Sequence, residues 1–180
     1  MATTKSARVA KTSILSFIES TMVRVVVGEG DNQQTFKVNE DVLCSKSDFF
    51  SAELSKKWMD EKKREVKLPE DSPDTFAAWV HWAYTSELAI TSRDTKDNKW
   101  TAQEIRDEYD SLCTLYLLAD KLLDVSATNA IIIAIFEVSR IKDTESGWHV
   151  PPLIVVKMVY DGTTAADPLR RLLVDFWSNK

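Results

Sequence analysis

Cysteine is scarce in this chain: Cys44 and Cys113 are the only two among 180 residues. So few thiols exclude a disulfide framework and point to a reducing compartment. Histidine is as rare, with His81 and His149 alone. A structural zinc site needs four ligands in paired short spacing. Cys44, His81, Cys113 and His149 stand singly, so no metal is expected. Only four glycines occur. Gly28-Glu29-Gly30 lacks the third glycine of a dinucleotide loop, since Gln33 holds that position, and no Gly-Lys-Ser/Thr phosphate loop is present. No cofactor is therefore expected. No apolar run approaches 18 residues, which excludes a membrane-spanning helix, and no secretory apolar region lies near the start. A basic excess is missing too. Lys+Arg number 23 against 28 Asp+Glu, a net charge of -5. Residues 1–24 carry +3 (Lys5, Arg8, Lys11 and Arg24 against Glu19), which leaves -8 on residues 25–180. Such an acidic body is a poor partner for a phosphate backbone, so nucleic acid is not expected to bind.

Catalytic patterns are also lacking. No Gly-x-Ser-x-Gly elbow occurs. Glu70, Asp71 and Asp74 cluster, but they mark a helix start rather than an acid–base pair. His81 lies between Val80 and Trp82 in a helix, as a structural or surface residue. A Cys–His pair using Cys44 or Cys113 has no local support. The six tryptophans are expected in core or interface packing.

What is present is ordinary globular composition, 44% hydrophobic and 28% charged, in a length that suits one domain with a sizeable core. Residues 1–18 are rich in Ser and Thr, carry three basic residues and no acid, and so share the composition of a mitochondrial presequence. They are read here as a tail leading into a short helix, Thr12 to Glu19. Val23, Val25 and Val27 alternate into a strand. Gly28 to Asn32 turns, and Thr35 to Val38 returns as a hairpin. Asn39 can cap a helix over Glu40 to Cys44, and Ser47 one over Asp48 to Lys56 with Phe49, Phe50 and Leu54 on its inner face. Trp58 to Lys63 reads as a loop, and Val66 and Leu68 as a strand stopped by Pro69. Ser72-Pro73-Asp74 opens a helix carrying Phe76, Trp79, Val80 and Ala83. Leu88-Ala89-Ile90 is read as a further short strand, and Thr91 to Lys99 as a polar loop.

Thr101-Ala102-Gln103-Glu104 is a capping box. Behind it Ile105, Tyr109, Leu112, Tyr116, Ala119 and Leu123 recur at helical spacing, and Leu115, Leu118 and Leu122 widen the stripe. Ser126 is read as the cap of a helix through Ile131, Ile132, Ile133, Ile135 and Phe136, apolar nearly all round and so expected at the centre of the core. Gly147 and Pro151-Pro152 interrupt the pattern. Leu153 to Tyr160 fits strand by composition and helix by its Pro-Pro start and apolar spacing; helix is the reading taken. Asp167-Pro168 opens a last helix with Leu169, Leu172, Leu173 and Phe176 inside and Arg170 and Arg171 outside.

The order of these features resembles the BTB/POZ family. Val25-Val26-Val27-Gly28, then Phe36-Lys37-Val38-Asn39-Glu40-Asp41-Val42-Leu43, then Ser47-x-Phe49-Phe50 is similar to the family's opening. Glu65-Val66-Lys67-Leu68-Pro69-Glu70-Asp71, Phe76 and Trp82-x-Tyr84-Thr85 resemble its next segment, in the single-domain form common in filamentous fungi. Leu115-Tyr116-x-Leu118-Ala119-Asp120-Lys121-Leu122 looks like its later helix, and Pro168 to Asp175 like the tail of many fungal members. The resemblance implies an α+β fold: a small mixed sheet flanked by a helical cluster, with a helical C-terminal extension. It implies three stretches, with residues 1–20 a tail and short helix, 21–140 the BTB/POZ domain, and 141–180 the extension.

The function it implies is protein–protein interaction by a non-enzymatic, intracellular protein (cytoplasmic or nuclear), acting as a homo-oligomerising scaffold or adaptor. The implied homodimer interface takes in Ile14, Leu15, Phe17, Ile18, Met22, Val23 and Val25. Two residues depart from the family pattern there. Met22 stands near a usual Asp, and Asn39 replaces a usual His. Met59-Asp60-Glu61 matches the hydrophobic-x-Glu motif of members that bind a cullin scaffold, which implies a substrate adaptor of a cullin-based ubiquitin ligase as the alternative. A small cytosolic enzyme using Cys44 or Cys113 is the reading from another class.

Overall fold

Alternating valines decide where the sheet forms. In β1 (Met22–Val27), Val23, Val25 and Val27 are fully buried while Met22 and Arg24 face outward. The period of two puts the three valines on one face. The computed structural model describes residues 21–56, 64–90, 99–145 and 147–178. The expected helix Thr12 to Glu19, the loop Trp58 to Lys63 and residues 91–98 of the second loop lie outside them.

Gly28 ends β1 with a φ of 81°, a conformation that a side chain disfavours, and a Cβ there would lie 2.6 Å from the Asn32 carbonyl oxygen. A single turn of 3-10 helix (Gly30–Asn32) then leads into β2 (Gln34–Asn39). β2 pairs antiparallel with β1, Val25 opposite Phe36 and Val23 opposite Val38. β3 (Glu65–Leu68) pairs parallel with β1 on its other side, Val25 opposite Val66 and Val27 opposite Leu68. The sheet is therefore mixed, in the order β2-β1-β3.

Helices cover the valine face. α1 (Glu40–Lys46) and α2 (Asp48–Lys56) follow β2 directly. The Ser47 hydroxyl accepts from Phe50 N–H as the expected cap of α2 and donates to the Leu122 carbonyl. Asn39 precedes α1 but its side chain does not cap it; that side chain is held by Tyr84 instead. α3 (Pro73–Thr85) buries Phe76 and Trp79 completely. Phe50 stacks on Trp79 at 5.7 Å between ring centroids, and Phe36 meets Phe76 edge-on at 5.0 Å. Leu88 to Ile90 is not a strand: it runs as irregular chain, with Leu88 and Ile90 half-buried against the core.

α4 (Ala102–Lys121) starts at the expected capping box: Thr101 Oγ1 accepts from Glu104 N–H, and the Glu104 carboxylate accepts from Thr101 N–H. Leu123, read as part of its apolar row, lies past its end and is 56% exposed. There the Leu123 and Asp124 N–H groups donate back to the Asp120 and Ala119 carbonyls, with Leu123 in the left-handed conformation (φ 57°). This is a Schellman closure with leucine where glycine is usual. It turns the chain sharply into α5 (Val125–Val138).

The cap of α5 is Asp124, two positions before the expected Ser126. Its buried carboxylate accepts from Ala127 N–H at 2.9 Å, Ser126 Oγ at 2.6 Å, and the indole N–H groups of Trp79 and Trp82 at 3.2 Å each. Nor is α5 enclosed all round. Ala127, Ile131, Ile135 and Val138 are buried, but the opposite face is open.

The described residues from 147 onward dock on this body. α6 (Leu153–Gly162) is a helix, as its Pro-Pro start implies, and buries Val155 and Val159. α7 (Pro168–Ser178) buries Leu169 and Leu173, with Leu172 and Phe176 half-buried. Two tyrosines of α4 tie the segment down: Tyr109 donates to the His149 carbonyl, and Tyr116 to the buried Asp167 carboxylate. Arg170 is not turned outward as expected. It reaches back to the Tyr160 and Thr163 carbonyls and lies over the Tyr160 ring. Arg171 is exposed.

Candidate interaction surface

One end of the sheet collects the residues that depart from the expected pattern. Met22 begins β1 and pairs across the ladder with Asn39, the last residue of β2. The two departures are thus cross-strand neighbours. Tyr84, near the end of α3, is bonded to Asn39: its hydroxyl donates to Asn39 Oδ1 and accepts from Asn39 N–H, both at 3.2 Å. Met22 is 48% exposed and Tyr84 47%. Beside them Lys46 Nζ donates to Ser86 Oγ and lies over the Trp82 ring. The neighbouring carboxylate, Glu40, is paired with Arg64, and its N–H donates to the Thr21 carbonyl. The centre of this end of the sheet is consequently neutral, made of a thioether, an amide and a phenol.

The sequence-expected interface residues divide. Ile14, Leu15, Phe17 and Ile18 lie outside the described residues, as do Met59, Asp60 and Glu61 of the cullin-like motif. Met22 is at the surface. Val23 and Val25 are fully buried under the helices, so they support the surface from beneath. Tyr84 was not singled out from sequence as an interface residue. Its partner Asn39 is 45 positions away, and no local pattern reports such a pairing.

The groups considered for chemistry are arranged differently. Cys113 is buried, and burial followed by the charge of Asp110 pushes its thiol up to about 12. Cys44 is half-buried, and its thiol is raised by burial first and then by Glu40 and Asp41. Both shifts disfavour the thiolate that a nucleophile requires. His81 is exposed on α3. His149 Nε2 is bonded to the Asp143 carboxylate at 2.7 Å. That contact, followed by the Gly147 N–H bond, holds the Asp143 carboxyl below the usual carboxylate range. Asp143 also accepts from Glu145 N–H, so the pair organises the turn before α6. Among the described residues no group of three or more His, Cys, Asp or Glu side chains is placed to hold a metal ion, and no helix is long and apolar enough to cross a membrane.

A 62-residue stretch is 34% identical to Kelch-like protein 40 of Xenopus laevis, covering 34% of this chain and 10% of that protein. The chain therefore spans about a tenth of the length of that relative. The solved BTB domain of zebrafish PATZ1 is similar at a TM-score of 0.46 and 18% identity, over 74% of this chain and 99% of that one. The family model described as the BTB/POZ domain matches residues 19–109, half of the sequence. The chain belongs to the BTB/POZ family and carries its protein–protein interaction domain.

Proposed function

We propose that the protein is a non-enzymatic, intracellular scaffold or adaptor that forms a homodimer through the end of its sheet and the segment before it. Residues 21–140 make up the interaction domain and 141–180 an extension docked upon it. The observation that carries this reading is the exposed, neutral end of the central strand: Met22 and Tyr84 are both about half exposed, and the apolar Ile14, Leu15, Phe17 and Ile18 shortly precede Met22 in the sequence. Binding there draws on apolar burial, with little charge to desolvate. Light scattering behind size exclusion tests it. The full chain is expected to be at least a dimer and a chain lacking residues 1–20 to have lost that contact. An unchanged mass after truncation would refute the contact.

A second reading has its own support. Met59-Asp60-Glu61 offers a hydrophobic anchor beside orienting charge, and the likeness to a Kelch-like protein points the same way. In this reading the domain binds a cullin scaffold and serves a ubiquitin ligase as substrate adaptor. Capture of purified cullin is expected to fall at least tenfold with Met59→Ala plus Glu61→Ala. Equal capture by both chains would remove the basis for it. A cysteine-dependent enzyme is the least supported reading, given two thiols whose ionisation is disfavoured.

A further inference from the structure

Two cavities share Ile90 as a wall and so form one groove between α3, α4 and α5. The larger, of about 360 Å3, is bounded by Trp82, Leu88, Leu112 and Ile133 and carries Glu108 and Glu137. The smaller, of about 260 Å3, is bounded by Ala78, Thr114 and Leu115 and carries Asp74 and Asp110. No Lys, Arg or His side chain lines either one. Among the described residues, no side-chain hydrogen bond or ion pair engages any of these four carboxylates. The bases beside the groove are turned elsewhere. Lys46, at the Trp82 wall, is held by Ser86 and the Trp82 ring, and Arg106, on the same helix as Asp110, by Gln103. Burial pushes the Glu108 carboxyl up, so its charge is kept at a cost that a neighbouring cation would offset.

Charge complementarity points to an occupant within the chain itself. Its basic excess is confined to the start, where Lys5, Arg8 and Lys11 recur at a spacing of three with no acid among residues 1–18. A line of contacts leads from the described end of that segment to the groove. The Thr21 carbonyl accepts from Glu40 N–H, the adjoining Asn39 is bonded to Tyr84, and Ser86, two residues after Tyr84, lines the larger cavity. The stretch from Lys11 to Thr21 reaches up to about 33 Å when extended, roughly twice the radius of gyration of a domain this size. Surface ion pairs between separate molecules contribute little. A short tether raises the local concentration to about the millimolar range, where a few such pairs hold a segment in place.

We infer that the basic N-terminal segment, residues 5–11, docks in the groove around Ile90 of its own copy, with Lys5, Arg8 and Lys11 against the carboxylates of Glu108, Glu137, Asp74 and Asp110. This contact is intramolecular, and it is independent of self-association at the end of the sheet.

Carbodiimide cross-linking of the full chain tests this, because it joins a lysine only to a carboxylate in contact with it. Links from Lys5 or Lys11 to Glu108, Glu137, Asp74 or Asp110 are expected. In a mixture of isotope-labelled and unlabelled chains they should fall within one copy. Links found only between copies would overturn the intramolecular contact. So would links to these carboxylates from Lys96 alone, because the cover would then be the segment that follows Ile90. Trypsin gives a second reading on the same full chain. Cleavage after Lys5, Arg8 and Lys11 is expected to quicken about fivefold or more with Glu108→Gln plus Glu137→Gln. It should be unchanged with Glu29→Gln plus Asp31→Asn, two acids of the turn between β1 and β2. Cleavage after Lys37, inside β2, reports whether each variant is folded. Equal rates in all three proteins, or equal acceleration by both pairs of changes, would overturn the inference.

Discussion

Replacing Asp124 with alanine is expected to cost the fold about a third of its stability. The carboxylate is 1% exposed and accepts four hydrogen bonds. Loss of an N-cap costs about 1 kcal/mol. Each buried donor left without an acceptor costs about 1–3 kcal/mol. Trp79 is fully buried and bears the whole of that penalty. Trp82 is 7% exposed and can recover part of it from water. The Ser126 hydroxyl, at the edge, finds solvent easily. Together these give about 3–5 kcal/mol, set against a typical total of about 5–15 kcal/mol. With a urea slope of about 2 kcal/mol/M, the unfolding midpoint should fall by about 2 M, read by tryptophan fluorescence and by circular dichroism in parallel. Asp124→Asn keeps one acceptor for Ala127 N–H and Ser126 but turns an amide toward both indoles, so its loss should be intermediate. A loss for Asp124→Ala below about 1 kcal/mol, the value of a cap alone, would refute the inference that this carboxylate organises the junction of α3, α4 and α5.

Three further outcomes follow from neighbouring features. Leu123→Gly should raise stability by about 0.5–1 kcal/mol, since it relieves a left-handed leucine that is more than half exposed; a destabilised variant in thermal melts would contradict the Schellman assignment. Tyr116→Phe strips the Asp167 carboxylate of its hydroxyl donor, at about 1–3 kcal/mol, and should speed hydrogen exchange across residues 153–178 more than across β1; a uniform change would argue against a local anchor. Thiol reagents should modify native Cys113 at least tenfold more slowly than Cys44: with a thiol pushed up to about 12, about one Cys113 in ten thousand is ionised at pH 8. Equal rates before unfolding would contradict the burial.

Legibility in the sequence followed how local each cause is. The valines of β1, the Thr101–Glu104 capping box and Ser72-Pro73 before α3 act over one turn or one strand, and each lies where its pattern places it. Asp124 was hidden because the Schellman turn at Leu123 consumes a position, a choice fixed by where α5 must pack. Leu88 to Ile90 has strand composition, but no described strand pairs with it, so it packs as irregular chain. The expectation that α5 is wholly enclosed read composition as burial, and the open Ile133–Phe136 face shows that the two differ. At the sheet end, the sequence named Met22 and Asn39 as departures; only the fold reveals that they are paired with each other and that Asn39 is bonded to Tyr84. The order of motifs carried the family because it records the sequence of elements, whereas a binding surface is assembled from segments distant in the chain.

Hydrogen–deuterium exchange of the full chain at high and low protein concentration tests the central claim most directly, because it reports where copies meet as well as whether they do. Concentration-dependent protection is expected in residues 12–25 and around Asn39 and Tyr84, while the core of α4 exchanges slowly at both concentrations. Exchange that is the same at both concentrations throughout the chain, with a monomer mass, would contradict self-association at the end of the sheet.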